Sequence, residues 1–128
     1  MASGPDIEVR PTNWLTPVAL VILHKESSYR YELMERLALD FDFENINAGT
    51  LYRTLRQMEK EGLCESEWET SQSGLARRMY YITKAGQAYL DAWVEAVKEY
   101  RRVIDALSQA YARSRTTRRS FEPGDEDF

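Results

Sequence analysis

The sequence predicts a mainly α-helical fold with a small β-hairpin wing and one long C-terminal helix, on three observations. A capped amphipathic stretch over residues 47–62 runs directly into two strand-length segments separated by a glycine-bearing loop. Leu15 to Leu23 is apolar on every side. From Leu90 to Tyr111 apolar residues recur at intervals of three and four.

Size and charge bound what such a fold can do. The chain has 128 residues, 43% of them hydrophobic and 30% charged, which suits one small domain with an extension rather than two independent cores. The formal charge of -4 weighs against indiscriminate nucleic-acid binding, so any DNA affinity has to come from a local basic patch. The longest strongly apolar run, Val18 to Leu23, is far short of the roughly 18 residues of a membrane span. The N-terminus also lacks the basic start and apolar core of a secretory signal, and a cytoplasmic protein with no membrane partner is expected.

Residues 1–13 are polar, contain Pro5 and Pro11, and read as a flexible arm. The folded part begins near Trp14, where Pro17 suits the first turn of a helix because no intrahelical amide bond is lost there. A helix apolar all round needs cover all round, more than one small wing domain is expected to give. Ser27 and Ser28 then read as a cap for a second helix from Tyr29 to about Leu39, with Leu33, Met34, Leu37 and Ala38 facing inward. Its N-terminus, with Ser28, Tyr29 and Arg30, is suited to meet a phosphate through free amides and the helix dipole; an ordinary cap with two packing tyrosines is the alternative. Phe41, Phe43 and Ile46 read as core plugs in the following link.

The third helix carries the sharpest signal. Asn47 is a good N-cap and Gly62 a good left-handed stop, giving about four turns. Ala48, Leu51, Leu55 and Met58 share one face, while Arg53 lies almost opposite, flanked by Gly49, Arg56, Gln57 and Lys60. Leu63 to Thr70 and Arg77 to Thr83 then form a hairpin around Ser71 to Ala76, with Arg77 and Arg78 near its tip. A polar-faced helix followed by a basic hairpin is the order of a winged helix-turn-helix that reads DNA. Arg53, Arg56 and Gln57 are candidates for base edges, Asn47, Thr50, Tyr52 and Lys60 for phosphates, and Ser73, Arg77 and Arg78 for the wing. The wing arginines have a competing use, pairing across the hairpin with Glu65, Glu67 and Glu69.

After Thr83 the pattern becomes one long helix to about residue 112. Leu90, Trp93, Val97, Tyr100, Ile104, Leu107 and Tyr111 make a coiled-coil-like seam, widened by Ala85, Ala92, Ala96, Val103, Ala106 and Ala110, and the expected role is homodimerisation. Residues 113–128 pair an arginine cluster with an acidic end and read as a disordered tail. Domain boundaries follow as arm 1–13, DNA-binding domain 14–83, dimerisation helix 84–112 and tail 113–128.

Chemistry is sparse. Cys64 is the sole cysteine, so no internal disulfide or cysteine pair for zinc arises, and a buried thiol is its expected state. His24 stands alone near the end of the first helix, suited to a capping or solvent role. No phosphate loop, catalytic triad or metal-spaced cluster is found, so no enzyme, cofactor or metal is expected.

Gly49, Thr50, Leu51 and Tyr52, then Leu55, Glu59, Glu61, Gly62 and Leu63, then Trp68, Glu69, Gly74, Tyr80, Tyr81 and Thr83 to Gly86 fall in an order that resembles the PadR family of bacterial winged-helix transcription regulators. The resemblance covers about residues 14 to 112. Arg53 stands where many members have proline, and Arg30 where a glycine usually separates two tyrosines; Tyr52 to Arg56 is similar to a polyhydroxyalkanoate-responsive repressor subgroup. The resemblance implies a homodimeric repressor on a palindromic operator in double-stranded DNA, released by a small aromatic or apolar effector near the dimer interface, where Trp14, Trp93 and Tyr100 are candidates. The alternative is a protein interaction module that uses the winged helix without sequence-specific DNA binding.

Overall fold

The structure, a computed structural model, describes residues 14–43, 46–70 and 74–117. The arm 1–13, the tail from 118 and Ser73 lie outside the described residues. Two compact units divide the chain, one up to Trp93 and one from Val94.

In the first unit, α1 (Leu15–Lys25) is surrounded by its own chain. Helices α2 (Arg30–Phe41) and α3 (Ala48–Lys60) and strand β3 (Ala76–Ile82) all pack on it. Pro17, Val18, Ala19, Leu20, Ile22 and Leu23 are buried, and Val21 is 37% exposed. This corrects the expectation that one wing domain is too small to cover α1: the sheet closes one side and the helix pair the other. Leu33, Leu37, Leu51, Leu55 and Met58 join the core at 0–1% exposure, with Leu63, Cys64, Tyr80 and Leu90. Met34, Phe41, Phe43 and Ile46 are partly buried against it.

The sheet has three strands, in the order β1-β3-β2, all antiparallel. β2 (Cys64–Thr70) and β3 form the expected hairpin, with Glu69 opposite Arg77 and Trp68 opposite Arg78. β1 (Ser28–Tyr29) is an addition, pairing Ser28 with Tyr80 and Tyr29 with Met79. Ser27 and Ser28 are therefore not a helix cap: Ser28 is 6% exposed and its Oγ donates to the Glu26 carbonyl at 3.0 Å. Instead Tyr29 leads into α2, its amide donating to Glu32 Oε1 at 3.0 Å, and α2 runs past Leu39 to a left-handed Asp42 at φ 60°.

α3 begins at its expected cap, with Asn47 Oδ1 accepting from the Thr50 amide at 2.7 Å. It stops at Gly62 (φ 79°), where the Leu63 amide reaches back to the Met58 carbonyl at 2.9 Å. Ala48, assigned to the buried face by periodicity, is exposed, because the first turn extends beyond the core that Leu51 begins.

Thr83 joins the wing to α4 (Lys84–Thr116). Its Oγ1 donates to the Gly62 carbonyl at 2.6 Å and accepts from the Gly86 amide at 2.9 Å, capping α4 while tying it to the end of α3. A Cβ at Gly86 would collide with the Leu63 carbonyl, so only glycine allows this close approach. Leu90 is buried, and Trp93 meets Trp14 edge to face at 5.6 Å and 83°.

From Val94, α4 belongs to the second unit. Tyr100, Ile104, Leu107 and Tyr111 are 43–69% exposed, and Val97 is half-buried. The helix runs four residues past the expected end at 112, placing Arg113 and Arg115 in its last turn, where the helix dipole favours cations.

Candidate nucleic-acid interface

Three aromatic rings organise the cations. Tyr52, half-buried on α3, has the guanidinium groups of Arg30 and Arg56 over its ring, at 5.4 and 5.7 Å from its centroid. Arg77 stacks on Tyr29 at 4.0 Å and Arg78 on Trp68 at 5.0 Å. Such contacts hold a guanidinium against a ring rather than against a carboxylate, so these arginines are positioned without being neutralised.

The wing carboxylate Glu69 has other partners. Glu69 accepts from Tyr29 Oη at 3.1 Å and from Tyr81 Oη at 2.9 Å. Burial and then the Glu69 bond push the Tyr29 pKa up; for Tyr81 the bond to Glu69 comes first and burial second. Both phenols therefore stay protonated donors. Arg78 Nε donates to Ser66 Oγ at 3.0 Å, and that hydroxyl donates to Glu59 Oε2 at 2.6 Å, so a neutral group separates the cation from the anion. Among the described residues no ion pair joins Arg77 or Arg78 to a carboxylate. Of the two uses open to the wing arginines, the competing cross-strand pairing with Glu65, Glu67 and Glu69 is not made among the described residues.

On α3, Arg53, Arg56, Gln57 and Lys60 are exposed together. Arg53 Nη2 donates to Thr50 Oγ1 at 3.3 Å, while Gln57 Nε2 donates to Glu61 Oε2 at 2.9 Å, which sets one carboxylate on this face. A groove of about 730 Å³ runs between α3 and the sheet, with Tyr52, Arg53, Arg56, Gln57, Lys60 and the one carboxylate Glu59 from α3 and with Arg78 and Tyr80 from the sheet. Helix and wing thus share one concave, cation-rich surface on a chain whose net charge is -4.

Asn47 and Thr50 lie at the start of this surface, with Asn47 Oδ1 occupied by its capping bond. Ser28 is removed from the candidate contacts, since its burial and its bond to Glu26 keep it from solvent. Tyr29 and Arg30 remain, and Ser73 lies outside the described residues. Of the effector candidates, Trp14 and Trp93 meet, whereas Tyr100 belongs to the separate second unit and is 60% exposed. Sequence reasoning missed Ser66, Trp68 and Glu69 as the groups that position the wing cations; only strand register pairs Trp68 with Arg78.

Cys64 is 1% exposed, and burial followed by the charges of Glu59 and Glu65 pushes its thiol from 9.0 up to about 12. Among the described residues no group of three or more His, Cys, Asp or Glu is placed to hold a metal, and no helix is long and apolar enough to cross a membrane.

A capped polar-faced helix set beside a hairpin wing defines a winged helix-turn-helix protein. The sequence profile of the PadR-like family of transcriptional regulators matches residues 19–92. The chain belongs to that family. It is 41% identical over 64 residues to a transcriptional regulator of Mycobacterium tuberculosis, covering 50% of this chain and 52% of that protein. The crystal structure of a PadR-like transcriptional regulator from Bacillus cereus is similar at a TM-score of 0.67 and 29% identity, over 74% of this chain and 91% of the other. A PadR family regulator from Clostridium difficile shares the fold at a TM-score of 0.68 and 24% identity, over 74% and 98% of the two chains.

Proposed function

We propose that the protein is a homodimeric repressor that occupies a palindromic operator in double-stranded DNA and leaves it when a small effector binds. The observation that carries this reading is the shared surface of α3 and the wing, on which stacked guanidinium groups remain unpaired by carboxylates. In this reading α3 enters the major groove, where Arg53 and Arg56 meet guanine O6/N7 and Gln57 meets adenine N6/N7. Asn47, Thr50, Tyr52 and Lys60 hold phosphates, and Tyr29 and Arg30 do so at the start of α2. Arg77 and Arg78 reach the backbone beside the major-groove site.

The exposed row Tyr100, Ile104, Leu107 and Tyr111 supports dimerisation through α4, since an apolar stripe of this length is stable only when covered. Trp14 and Trp93 offer an aromatic wall to an effector at the head of that stripe. The sequence Tyr52 to Arg56 supports the finer placement among polyhydroxyalkanoate-responsive repressors. A cytoplasmic location follows from the proposed role.

Selection of bound sites from random DNA tests the reading. A palindrome with half-sites one helical turn apart, about 34 to 36 Å, is expected. Weak binding with no sequence preference would instead favour a protein interaction module.

A further inference from the structure

Ser66 stands where the fold brings two opposite charges to one place. On β2 it lies directly across from Tyr80 of β3, a side chain only 2% exposed. Glu59 arrives from α3 and Arg78 from β3, and both line the groove between helix and sheet. Both also act on the Tyr80 phenol, whose pKa is pushed up by burial and then by Glu59, against an opposing pull from Arg78. Cation and anion thus bear on the same ring, yet no ion pair joins them among the described residues.

The hydrogen bonds account for this. A serine hydroxyl has one proton to give, and that of Ser66 goes to Glu59 Oε2 at 2.6 Å. The oxygen is then left to accept, and it takes the Arg78 Nε proton at 3.0 Å. The Trp68 ring, opposite Arg78 in the strand register, carries the same guanidinium at 5.0 Å. Glu59 therefore spends its attraction on a neutral donor, and Arg78 meets a neutral acceptor and a ring.

We propose that Ser66 is a positioning residue for DNA binding, a neutral strut from α3 to the wing that keeps Arg78 from closing on Glu59 and leaves its charge to a phosphate. The proposal rests on the DNA-binding reading and adds a cause to it. Removing the hydroxyl deprives Glu59 of a donor and Arg78 of an acceptor in one stroke. The two groups so released are each other's nearest remedy in a half-buried place, and a charge-assisted pair forms more strongly than either bond it replaces. Arg78 is then neutralised within the groove. With the strut in place Nε is engaged by Ser66, and the phosphate is met through the Nη groups.

The test compares Ser66→Val with Ser66→Thr in the full chain, since the two introduced side chains share a branched, strand-favouring shape and differ by a hydroxyl. Affinity for a fluorescent random-sequence duplex is measured across salt concentrations. Ser66→Val should lose one phosphate contact and so reduce the slope of log affinity against log salt by about 0.9. Between 50 and 200 mM salt the wild type should then lose about 3.5-fold more affinity than Ser66→Val, whereas Ser66→Thr keeps the wild-type slope. Adding Glu59→Gln to Ser66→Val should restore the slope, because the group that captured Arg78 has lost its charge. In an Arg78→Ala background, Ser66→Val should leave the slope where it is. A serine that merely stabilises the strand would lower the melting temperature without moving the slope, and Glu59→Gln would not undo its loss.

Denaturant unfolding without DNA reads the same contact. The coupling between Glu59→Gln and Arg78→Ala should grow by about threefold or more in the unfolding equilibrium constant when Ser66→Val is present. Should Ser66→Val fail to fold, Ser66→Ala makes both comparisons. An unchanged salt slope without the hydroxyl, no recovery on Glu59→Gln, or a coupling that does not grow would each overturn the assignment. A chain that binds no DNA but shows the growth in coupling would instead defeat the operator reading and leave the strut standing.

Discussion

Replacing Arg77 and Arg78 together by alanine separates a wing that holds DNA from a hairpin that merely holds itself together. Both guanidinium groups are stacked on rings, at 4.0 and 5.0 Å, and neither is paired with a carboxylate among the described residues. Each is therefore available to one phosphate. Losing two phosphate contacts reduces the slope of log affinity against log salt by about 1.8. Between 50 and 200 mM salt the wild type should then lose about 12-fold more affinity than the variant, since 4 raised to 1.8 is close to 12. The cost in stability is smaller, about 0.5–1 kcal/mol for each exposed stack. A domain with roughly 5–15 kcal/mol in hand stays folded through that loss, and a thermal melt verifies it. The measurement is a titration of fluorescent operator DNA at four salt concentrations, on both proteins and on a scrambled duplex. Affinity should fall on both duplexes alike, because phosphates carry no sequence. If the salt slope is unchanged while the melting temperature drops, the arginines serve the hairpin and the wing plays no part in binding.

Further outcomes follow from single contacts. Arg53→Ala should cost about 1–3 kcal/mol on the operator and relax preference at one base position per half-site, measured by repeated site selection; an equal loss on all sequences would make Arg53 a phosphate contact. Glu61→Gln removes the carboxylate that holds Gln57 Nε2 at 2.9 Å, and operator affinity should rise by about threefold, an outcome that weaker binding would refute. Cys64, with its thiol raised from 9.0 to about 12, should yield about a thousandth of the thiolate of a free cysteine near neutral pH, and a disulfide reagent should leave it intact until unfolding. The folded state binds that proton more tightly than the unfolded one, so stability is fully present below pH 9.0 and falls as pH rises toward about 12; Cys64→Ala should flatten part of that fall, with the raised Tyr29, Tyr80 and Tyr81 keeping the rest. Val97→Asp with Ile104→Asp puts unpaired carboxylates into the proposed α4 interface at several kcal/mol per dimer. Sedimentation should show monomer and operator binding should lose its cooperativity, whereas a folded dimer with full affinity would remove α4 from the interface.

What the sequence carried about α3 it carried in local chemistry. Asn47, Gly62 and the spacing of Leu51, Leu55 and Met58 each act within a turn or two, and each is where the pattern placed it. Ala48 failed because periodicity reports a face, not where along that face the core begins. α1 failed in a related way. Its apolar pattern states that it must be covered, but what covers it depends on α2, α3 and β3 arriving from distant parts of the chain. The exposed stripe of α4 is legible for the opposite reason, since nothing in the second unit intervenes between its pattern and its surface.

The strand β1, which the sequence did not show, decides between the two uses that the sequence left open for the wing arginines. Two residues have no period, so Ser28 and Tyr29 carry no strand signal, and the serines were better matched to a cap. Their pairing with Tyr80 and Met79 spans some fifty positions of sequence and is set by tertiary packing alone. Yet that pairing brings the Tyr29 ring under Arg77 and its hydroxyl to Glu69. Without β1, Glu69 faces Arg77 across the hairpin and the two charges are the natural partners. With β1 in place, neutral phenols take the carboxylate and a ring takes the guanidinium face, so the arginine is positioned and still charged. A short third strand thus turns a self-satisfied hairpin into a surface with cations to offer a phosphate.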